Sequence, residues 1–141
     1  MPLFGGSTVE RLKARGDVKA LIKCLCHLQD AATRREAVVA LGELRAVEAL
    51  DRLVLTLDDD HDNLAQYAAA ALGKIGDLRA LKPLLRIAAH STCYSTKKAA
   101  AEALGALGAP ALEVLDQVAA DAQAAPAERE TAAKVSRRIR A

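Results

Sequence analysis

Apolar residues recur along this chain three and four positions apart, which is the spacing of one side of an α-helix. The clearest series are Ala37, Ala40, Leu41 and Leu44, and, further along, Ala68, Ala71, Leu72 and Ile75. That spacing places the members of each series on one helix face, where they are buried together. Ala, Leu, Arg, Lys and Glu dominate and β-branched residues are few, so helix propensity favours the same element. The pattern predicts an all-α chain.

The helical pattern is itself repeated. An Ala-Leu-Gly triplet begins at residues 40, 71 and 103, and an Ala-Leu pair, with an apolar residue three positions after the leucine, begins at 20, 49, 80 and 111. Successive pairs are therefore 29, 31 and 31 residues apart. Four copies at so regular a spacing are typical of stacked helical hairpins, in which each unit buries its apolar side against its neighbours.

The repeat predicts how the chain is divided. Hairpins of two helices are expected over about residues 7–28, 32–57, 63–90 and 95–123, and a last helix over about 126–140. The last helix begins with proline and glutamate and ends in basic residues, which suits the helix dipole at both ends. We therefore expect one domain, residues 1–141, folded as a right-handed α-solenoid of about four hairpins with a C-terminal capping helix.

Short polar motifs predict where individual helices begin and end. Ser7 and Thr33 each precede a glutamate by three residues, which is the pattern of a capping box. Gly76 suits the left-handed position after a helix, and Asp77 can then cap the next helix. We interpret the other glycines of the repeats as turn residues in the same way; they are Gly42, Gly73, Gly105 and Gly108.

The run from Asn63 to Leu84 resembles the short HEAT repeat first named from phycobilisome lyases. Residues 33–54 and 97–115 are similar but looser, and the resemblance covers roughly residues 9–124. It departs in the first repeat, where residues 12–15 replace the usual Leu-Gly, as expected of a terminal unit. The resemblance implies a solenoid fold. It implies no single function, because the module occurs in lyase subunits, hydroxylases, DNA-repair proteins and adaptors.

The composition also predicts which residues form the core and in which cellular compartment the protein lies. The chain has 141 residues, of which 52% are apolar, yet it has one Phe, two Tyr and no Trp. A core of Ala and Leu lets helices approach closely. Three cysteines without a framework spacing fit a reducing compartment, and charges interrupt every apolar run before the roughly 20 residues of a membrane span. We expect a cytoplasmic protein with no membrane association.

The resemblance also extends in fold to iron-dependent deoxyhypusine hydroxylase, which binds metal through His-Glu pairs just before Ala-Leu-Gly. The matching pairs in this chain are Arg35-Glu36, Gln66-Tyr67 and Lys98-Ala99. Histidine is absent from all three pairs and one carboxylate remains, so these positions lack the ligands that hold iron. The sequence also has no nucleophile–base pair and no glycine-rich phosphate loop. It therefore predicts a protein that is not an enzyme and takes no cofactor or small-molecule substrate.

Two other patterns resemble metal sites, and each has a simpler structural explanation. Cys24 and Cys26 point about 200° apart on a helix, so they do not chelate one ion. Cys24 aligns with core leucines of the later repeats, and His27 aligns with packing positions. The acidic turn at 58–62 lacks the glycine and glutamate of an EF-type calcium loop, and acidic residues before a helix serve as caps. No metal is predicted.

The second helices carry the surface on which we expect a partner, because in HEAT-like stacks they line the concave face. Equivalent positions form two rows, Ile22, Asp51, Lys82 and Glu113 in one and Cys26, Leu55, Arg86 and Gln117 in the other. The candidate partner residues are Asp51, Leu55, Lys82, Arg86, Glu113 and Gln117. Charges of both signs beside an apolar residue favour a protein partner, since a phosphate-binding groove repeats its cations. One local basic run has no intervening acid but also no aromatic residues that would stack on bases; it is Arg79, Lys82, Arg86, Lys97 and Lys98.

The joint at 90–96 departs from the repeat, because it has His90, Cys93 and Tyr94 where the family has an acidic turn. Exposed tyrosine is favoured in interfaces, and simple loop drift explains the change equally well. We include Tyr94 at the edge of the candidate surface. Cys93 is the thiol that we expect to be accessible, with nothing in the sequence that activates it.

These observations predict a non-catalytic protein-interaction module, an adaptor or scaffold, that binds another protein on the concave face of the solenoid. One alternative, from the resemblance alone, is a bilin lyase or lyase-like chaperone subunit that acts with a partner. A second alternative is a nucleic-acid-binding HEAT-like protein, since HEAT-like glycosylases bind DNA on that face.

Overall fold

The structure, a computed structural model, describes residues 7–26, 28–59 and 63–141. In these ranges the chain forms α-helices and no strands. The helices are α1 (Thr8–Ala14), α2 (Val18–Lys23), α3 (Ala31–Glu43), α4 (Leu50–Thr56), α5 (Leu64–Ile75), α6 (Leu81–His90), α7 (Tyr94–Leu107), α8 (Leu112–Ala120) and α9 (Pro126–Arg140). Short 3-10 turns lead into α4, α6 and α8; they are Val47–Ala49, Leu78–Ala80 and Ala109–Ala111.

The helices pack as a stack of hairpins, which confirms the predicted all-α solenoid. The first helices α3, α5 and α7 lie side by side, and each second helix packs against the first helix of the next repeat. Thus α2 contacts α3, α4 contacts α5, α6 contacts α7, and α8 contacts α9. Because every repeat shares its packing with the next, one hydrophobic core runs from Val9 to Val135.

Leucine and alanine fill this core, as the composition predicts. Fully buried leucines recur at equivalent positions of the first and second helices; they are Leu41, Leu72 and Leu104, and Leu53, Leu84 and Leu115. Cys24 is buried in register with the second set, which confirms its interpretation as a core residue. His27 lies outside the described residues, so its packing role stays a prediction.

Two glycines set the spacing between the first helices. A Cβ atom on Gly42 would lie 2.8 Å from the Cα of Ala71, and one on Gly73 would lie 2.9 Å from the Cα of Ala103. These distances are shorter than a side-chain carbon can keep from backbone, so only glycine permits so close an approach. The Gly-Ala pairs therefore hold α3 against α5 and α5 against α7.

The interpretation of every repeat glycine as a turn residue is wrong for three of them. Gly42, Gly73 and Gly105 lie inside α3, α5 and α7, and what the first two provide is room between helices. Gly76 and Gly108 do end helices, with φ angles of 73° and 71° in the region that favours glycine.

Three of the predicted caps are present. Ser7 Oγ accepts from the Glu10 backbone N–H at 3.1 Å while Glu10 Oε2 accepts from the Ser7 N–H at 2.9 Å, which completes a capping box. Gly76 ends α5 in the left-handed conformation, and Asp77 accepts from the backbone N–H of Arg79 at 2.9 Å. The sequence motifs at these positions are thus sufficient to place the helix ends.

The predicted cap at Thr33 is wrong. Asp30 is the N-cap of α3, and its Oδ1 accepts from the Thr33 backbone N–H at 2.6 Å. Asp30 and Thr33 are both good capping residues, and the cap at Asp30 lets α3 begin at Ala31. Thr33 consequently lies in the first turn of the helix.

The last helix does not continue the close stacking of the first helices. A Cβ atom on Gly105 would meet nothing nearer than Arg138 Cδ, at 4.0 Å. Helix α9 instead packs against α8, α6 and α7 together. Its two ends are held by polar contacts, since Glu128 Oε1 lies 3.2 Å from His90 Nε2 and Arg140 forms an ion pair with Asp116. This position leaves an open groove between α7 and α9.

Over the described ranges, no helix is both long and apolar enough to cross a lipid bilayer.

Candidate functional site

The predicted partner positions lie on three successive second helices. Asp51 and Leu55 are on α4, Lys82 and Arg86 on α6, and Glu113 and Gln117 on α8, and the side chains of all six are exposed. We call these six residues the second-helix stripe. The two residues on each helix are four positions apart and therefore share one face. The repeat thus offers an equivalent pair of surface positions on each of three helices.

Leu55 is the apolar member of the second-helix stripe, and 63% of its surface is exposed. Single exposed leucines are common on soluble proteins and need no function. Leu55 differs in that it shares its face with Asp51 and belongs to the same row of repeat positions as Arg86 and Gln117. An apolar side chain among charges of both signs is the composition of a protein contact more than of a phosphate contact.

Arg86 is engaged in an ion pair across the repeat boundary. Its guanidinium donates to both carboxylate oxygens of Asp58, at 2.8 and 3.3 Å, and this pairing raises the pKa of Arg86. The pair connects α6 to the end of α4, and both side chains are about half exposed. Exposed ion pairs contribute little to stability, so this pair can open when a partner offers a better carboxylate.

Arg86 also lines a cleft with the joint at 90–96. This cleft has a volume of about 300 Å³, and its walls include Asp58, His90 and Cys93. Cys93 is the N-cap residue of α7, and hydrogen bonds from Thr96, and then Ser95, lower the pKa of its thiol. The structure therefore brings one stripe residue together with the joint that departs from the repeat.

The lowered pKa of Cys93 was not foreseen from the sequence. The local signal is a cysteine followed by Ser95 and Thr96 at the start of a helix, where free backbone N–H groups stabilise a thiolate. Cys93 is exposed, as predicted.

Tyr94 is placed away from this cleft. It is 78% exposed and lines a separate groove of about 260 Å³ between α7 and α9. The cationic residues of this groove are Lys97, Lys98, Lys134 and Arg138. We call it the α7–α9 groove. Tyr94 is thus exposed, as an interface residue must be, but its neighbours are the cations of this groove.

The basic run predicted from the sequence does not form one patch. Arg79 pairs with Asp77 at 2.8 Å and Arg86 pairs with Asp58, whereas Lys97 and Lys98 lie in the α7–α9 groove. The structure therefore places four of the five cations in three environments, and Lys82 is exposed on α6.

One of the three pairs that correspond to the hydroxylase metal ligands contributes Lys98 to the α7–α9 groove. The other two pairs contribute residues to a third cavity, formed by the first helices. It has a volume of about 330 Å³ and is lined by Arg35, Glu36 and Tyr67 among others. The Arg35 guanidinium lies 5.8 Å from the centroid of the Tyr67 ring, and Lys13 pairs with Glu43 at the edge. A cation–π contact thus occupies the place of the ligand pairs.

Within residues 7–26, 28–59 and 63–141, no three His, Cys, Asp or Glu side chains are placed to hold a metal ion together. Two of the sequence patterns weighed as metal sites include residues outside these ranges, namely His27 and Asp60 to Asp62.

Comparison with protein families gives two matches. The model of the HEAT repeats matches residues 53–136, which is more than half of the chain, and the model of the PBS lyase HEAT-like repeat matches residues 33–59. No curated protein matches the chain. The two matches together extend from the second hairpin into the last helix, the region in which α3, α5 and α7 stack through glycine.

Proposed function

The chain belongs to the HEAT-repeat family, and from this premise we propose that it is a non-catalytic adaptor or scaffold that binds another protein. HEAT repeats generally mediate protein–protein interactions. The observation that carries the proposal is the second-helix stripe, because equivalent positions of three successive repeats are all exposed. An elongated partner can contact such positions together, and each repeat adds a similar contribution. We retain the proposal that residues 1–141 form a single repeat domain.

We also propose that the chain catalyses no reaction, because of the residues that it has at the family's metal-ligand positions. Arg35, Gln66 and Lys98 stand where the similar hydroxylase has its histidines. Imidazole and carboxylate ligands are what such a metal site requires. The exposed stripe, in contrast, needs no chemistry beyond complementary shape and charge.

Capture from the native host with paired variants tests the proposal. Leu55→Asp with Lys82→Glu changes the second-helix stripe, and we expect it to lose a protein that the unchanged chain captures reproducibly. The matched control is Leu28→Asp with Lys74→Glu, which makes the same substitutions at exposed positions outside the stripe. If both double variants capture the same proteins in equal amounts, the stripe is not the binding surface.

A bilin lyase or lyase-like chaperone subunit is the second candidate, favoured by the match of the PBS lyase HEAT-like repeat to residues 33–59. Such a subunit would act with a partner. Incubation of the chain with a phycobiliprotein apo-subunit and free bilin separates the two proposals. Bilin attachment that depends on the chain would support the lyase, and an unchanged absorption spectrum with stable capture of another protein supports the adaptor.

A further inference from the structure

The α7–α9 groove exists because the regular stacking of first helices stops at α7. Between α5 and α7, a Cβ atom on Gly73 would lie 2.9 Å from the Cα of Ala103, which leaves no space. At the equivalent position of α7, a Cβ atom on Gly105 would lie 4.0 Å from the aliphatic stem of Arg138. Helix α9 is therefore set away from the N-terminal half of α7, and a volume of about 260 Å³ stays open between them.

The floor of the α7–α9 groove is apolar. Ala88 from α6, Ala101 from α7 and Val135 from α9 line it, and Ala88 and Val135 are buried. Because these side chains are small, the groove has room for an apolar side chain of a ligand. Burying such a side chain removes apolar surface from water on both partners, which favours binding.

The rim of the groove is cationic. Lys97 and Lys98 on α7 face Lys134 and Arg138 on α9, and none of the described residues that line the groove is acidic. Four like charges around one small volume create a positive potential that attracts and orients an anionic ligand.

Two of these cations already have partners, but weak ones. Lys98 lies 3.9 Å from Glu102 and Lys134 lies 3.0 Å from Glu130, each within its own helix and largely exposed. Such pairs contribute only a few tenths of a kcal/mol. Lys97 and Arg138 form no ion pair with any described residue. The groove thus has positive charge that the described part of the chain does not neutralise.

We propose that the α7–α9 groove binds an acidic segment of a partner protein. Such a segment places an apolar side chain on the floor and its carboxylates against the four cations, and Tyr94 packs along it at the mouth. Charge complementarity fixes the sign of the partner, and the apolar floor distinguishes it from a nucleic acid. A single-stranded nucleic acid would need a row of aromatic residues for its bases, and in the part of the chain that the structure describes Tyr94 alone is an aromatic residue lining this groove. The inference does not depend on the second-helix stripe.

A fluorescent helical peptide with glutamates on one face and leucines on the other is the probe. We expect the unchanged protein to bind it, and Lys97→Glu with Arg138→Glu to weaken binding by about tenfold or more, since two attractive contacts become repulsive. The matched control is Lys19→Glu with Arg52→Glu, which changes the net charge equally at exposed positions elsewhere and should bind as the unchanged protein does. Equal binding by the two double variants overturns the proposal.

Further arms separate the sources of binding. The same peptide with glutamine in place of every glutamate should bind at least about tenfold more weakly, and equal binding would show that charge does not select the ligand. Tyr94→Ala changes a side chain that is 78% exposed, so the protein should still fold, and we expect about threefold weaker binding. It keeps the proposal testable if the charge reversal prevents folding. Binding of single-stranded DNA without binding of the acidic peptide overturns the proposal and assigns the groove to nucleic acid.

Discussion

Gly73 lies inside a helix, where alanine would be the better helix former, but the neighbouring Ala103 leaves no room for a side chain. A methyl group there would approach the backbone of Ala103 to 2.9 Å, so α5 and α7 would have to separate. Gly105 lies at the same repeat position one hairpin later, and there the same methyl group would be 4.0 Å from a flexible side chain. The two glycines are therefore alike in sequence and different in their surroundings.

We predict that Gly73→Ala destabilises the protein by about 1–3 kcal/mol, because the cost of separating packed helices exceeds the gain in helix propensity. Gly105→Ala should instead stabilise it by roughly 0.5–1 kcal/mol, since it gains the propensity without a clash. Urea denaturation of both variants measures the two free energies of unfolding. An equal effect of the two substitutions would mean that α9 stacks on α7 as closely as α7 stacks on α5.

Leu72 tests the repeat register at the level of one side chain. It is fully buried in α5, whereas Lys82 on α6 is exposed. We predict that Leu72→Ala lowers the free energy of unfolding by about 2–5 kcal/mol through lost burial and the remaining cavity. Lys82→Ala should change it by less than about 0.5 kcal/mol. A loss below about 1 kcal/mol for Leu72→Ala would contradict the register on which the core is described.

One pH-dependent element of the fold lies at a helix end. Between α5 and α6, the Asp77 carboxylate accepts hydrogen bonds from the Arg79 side chain and backbone, which hold its pKa at about 2. In an unfolded chain an aspartate titrates near about 4. Because folding lowers the pKa of Asp77, its charged carboxylate stabilises the folded state, and this contribution is fully present above a pH of about 4. The contribution is lost as the pH falls through about 2.

We predict that Asp77→Asn lowers the urea midpoint at neutral pH, because asparagine keeps the cap but loses the charged pairing with Arg79. The difference from the unchanged protein should shrink as the pH falls from about 4 to about 2. Arg79→Ala removes the same interaction from the other side and should show the same convergence. Midpoints that stay separated by a constant amount down to pH of about 2 would show that Asp77 acts through the cap alone.

The sequence predicts those elements that depend on local or repeated patterns. Ser7, Gly76 and Asp77 act at helix ends as their motifs indicate, and the alternation of buried and exposed positions places Leu72 and Lys82 correctly. The capping-box motif at Thr33 predicts the wrong N-cap, because Asp30, three residues earlier, caps α3 instead.

The α7–α9 groove could not be predicted, because the distance between two helices is not a local property of either. The sequence predicts α9 only as a capping helix, whereas in the structure it packs against α8, as α6 packs against α7, and also against α6 and α7. Tyr94 is for this reason exposed as expected and yet surrounded by the cations of the α7–α9 groove rather than by the second-helix stripe.

At the scale of the whole molecule, the net charge of +2 conceals an uneven distribution. The second-helix stripe carries Asp51 and Glu113 beside Lys82 and Arg86, so its charges nearly cancel. The α7–α9 groove is lined by four cations, and its lining within residues 7–26, 28–59 and 63–141 includes no acidic residue. The two surfaces are therefore expected to respond differently to salt, because screening weakens contacts that rest on charge more than those that rest on apolar burial.

We predict that the protein partner captured through the second-helix stripe loses only a few-fold in affinity between about 50 and 200 mM salt, because Leu55 and balanced charges make the contact. Binding of a DNA duplex through several phosphates would instead lose about a thousandfold or more over that range, since each neutralised phosphate releases counterions.

Titration of salt against the captured partner and against a duplex, with Leu55→Asp and Lys82→Glu as the variant, distinguishes the two. The variant should bind the captured partner more weakly, and it should leave any residual binding of the duplex at its low level. Tight duplex binding with a steep salt dependence, in the absence of a protein partner, would show that the adaptor proposal is wrong and that the chain is a nucleic-acid-binding HEAT-repeat protein.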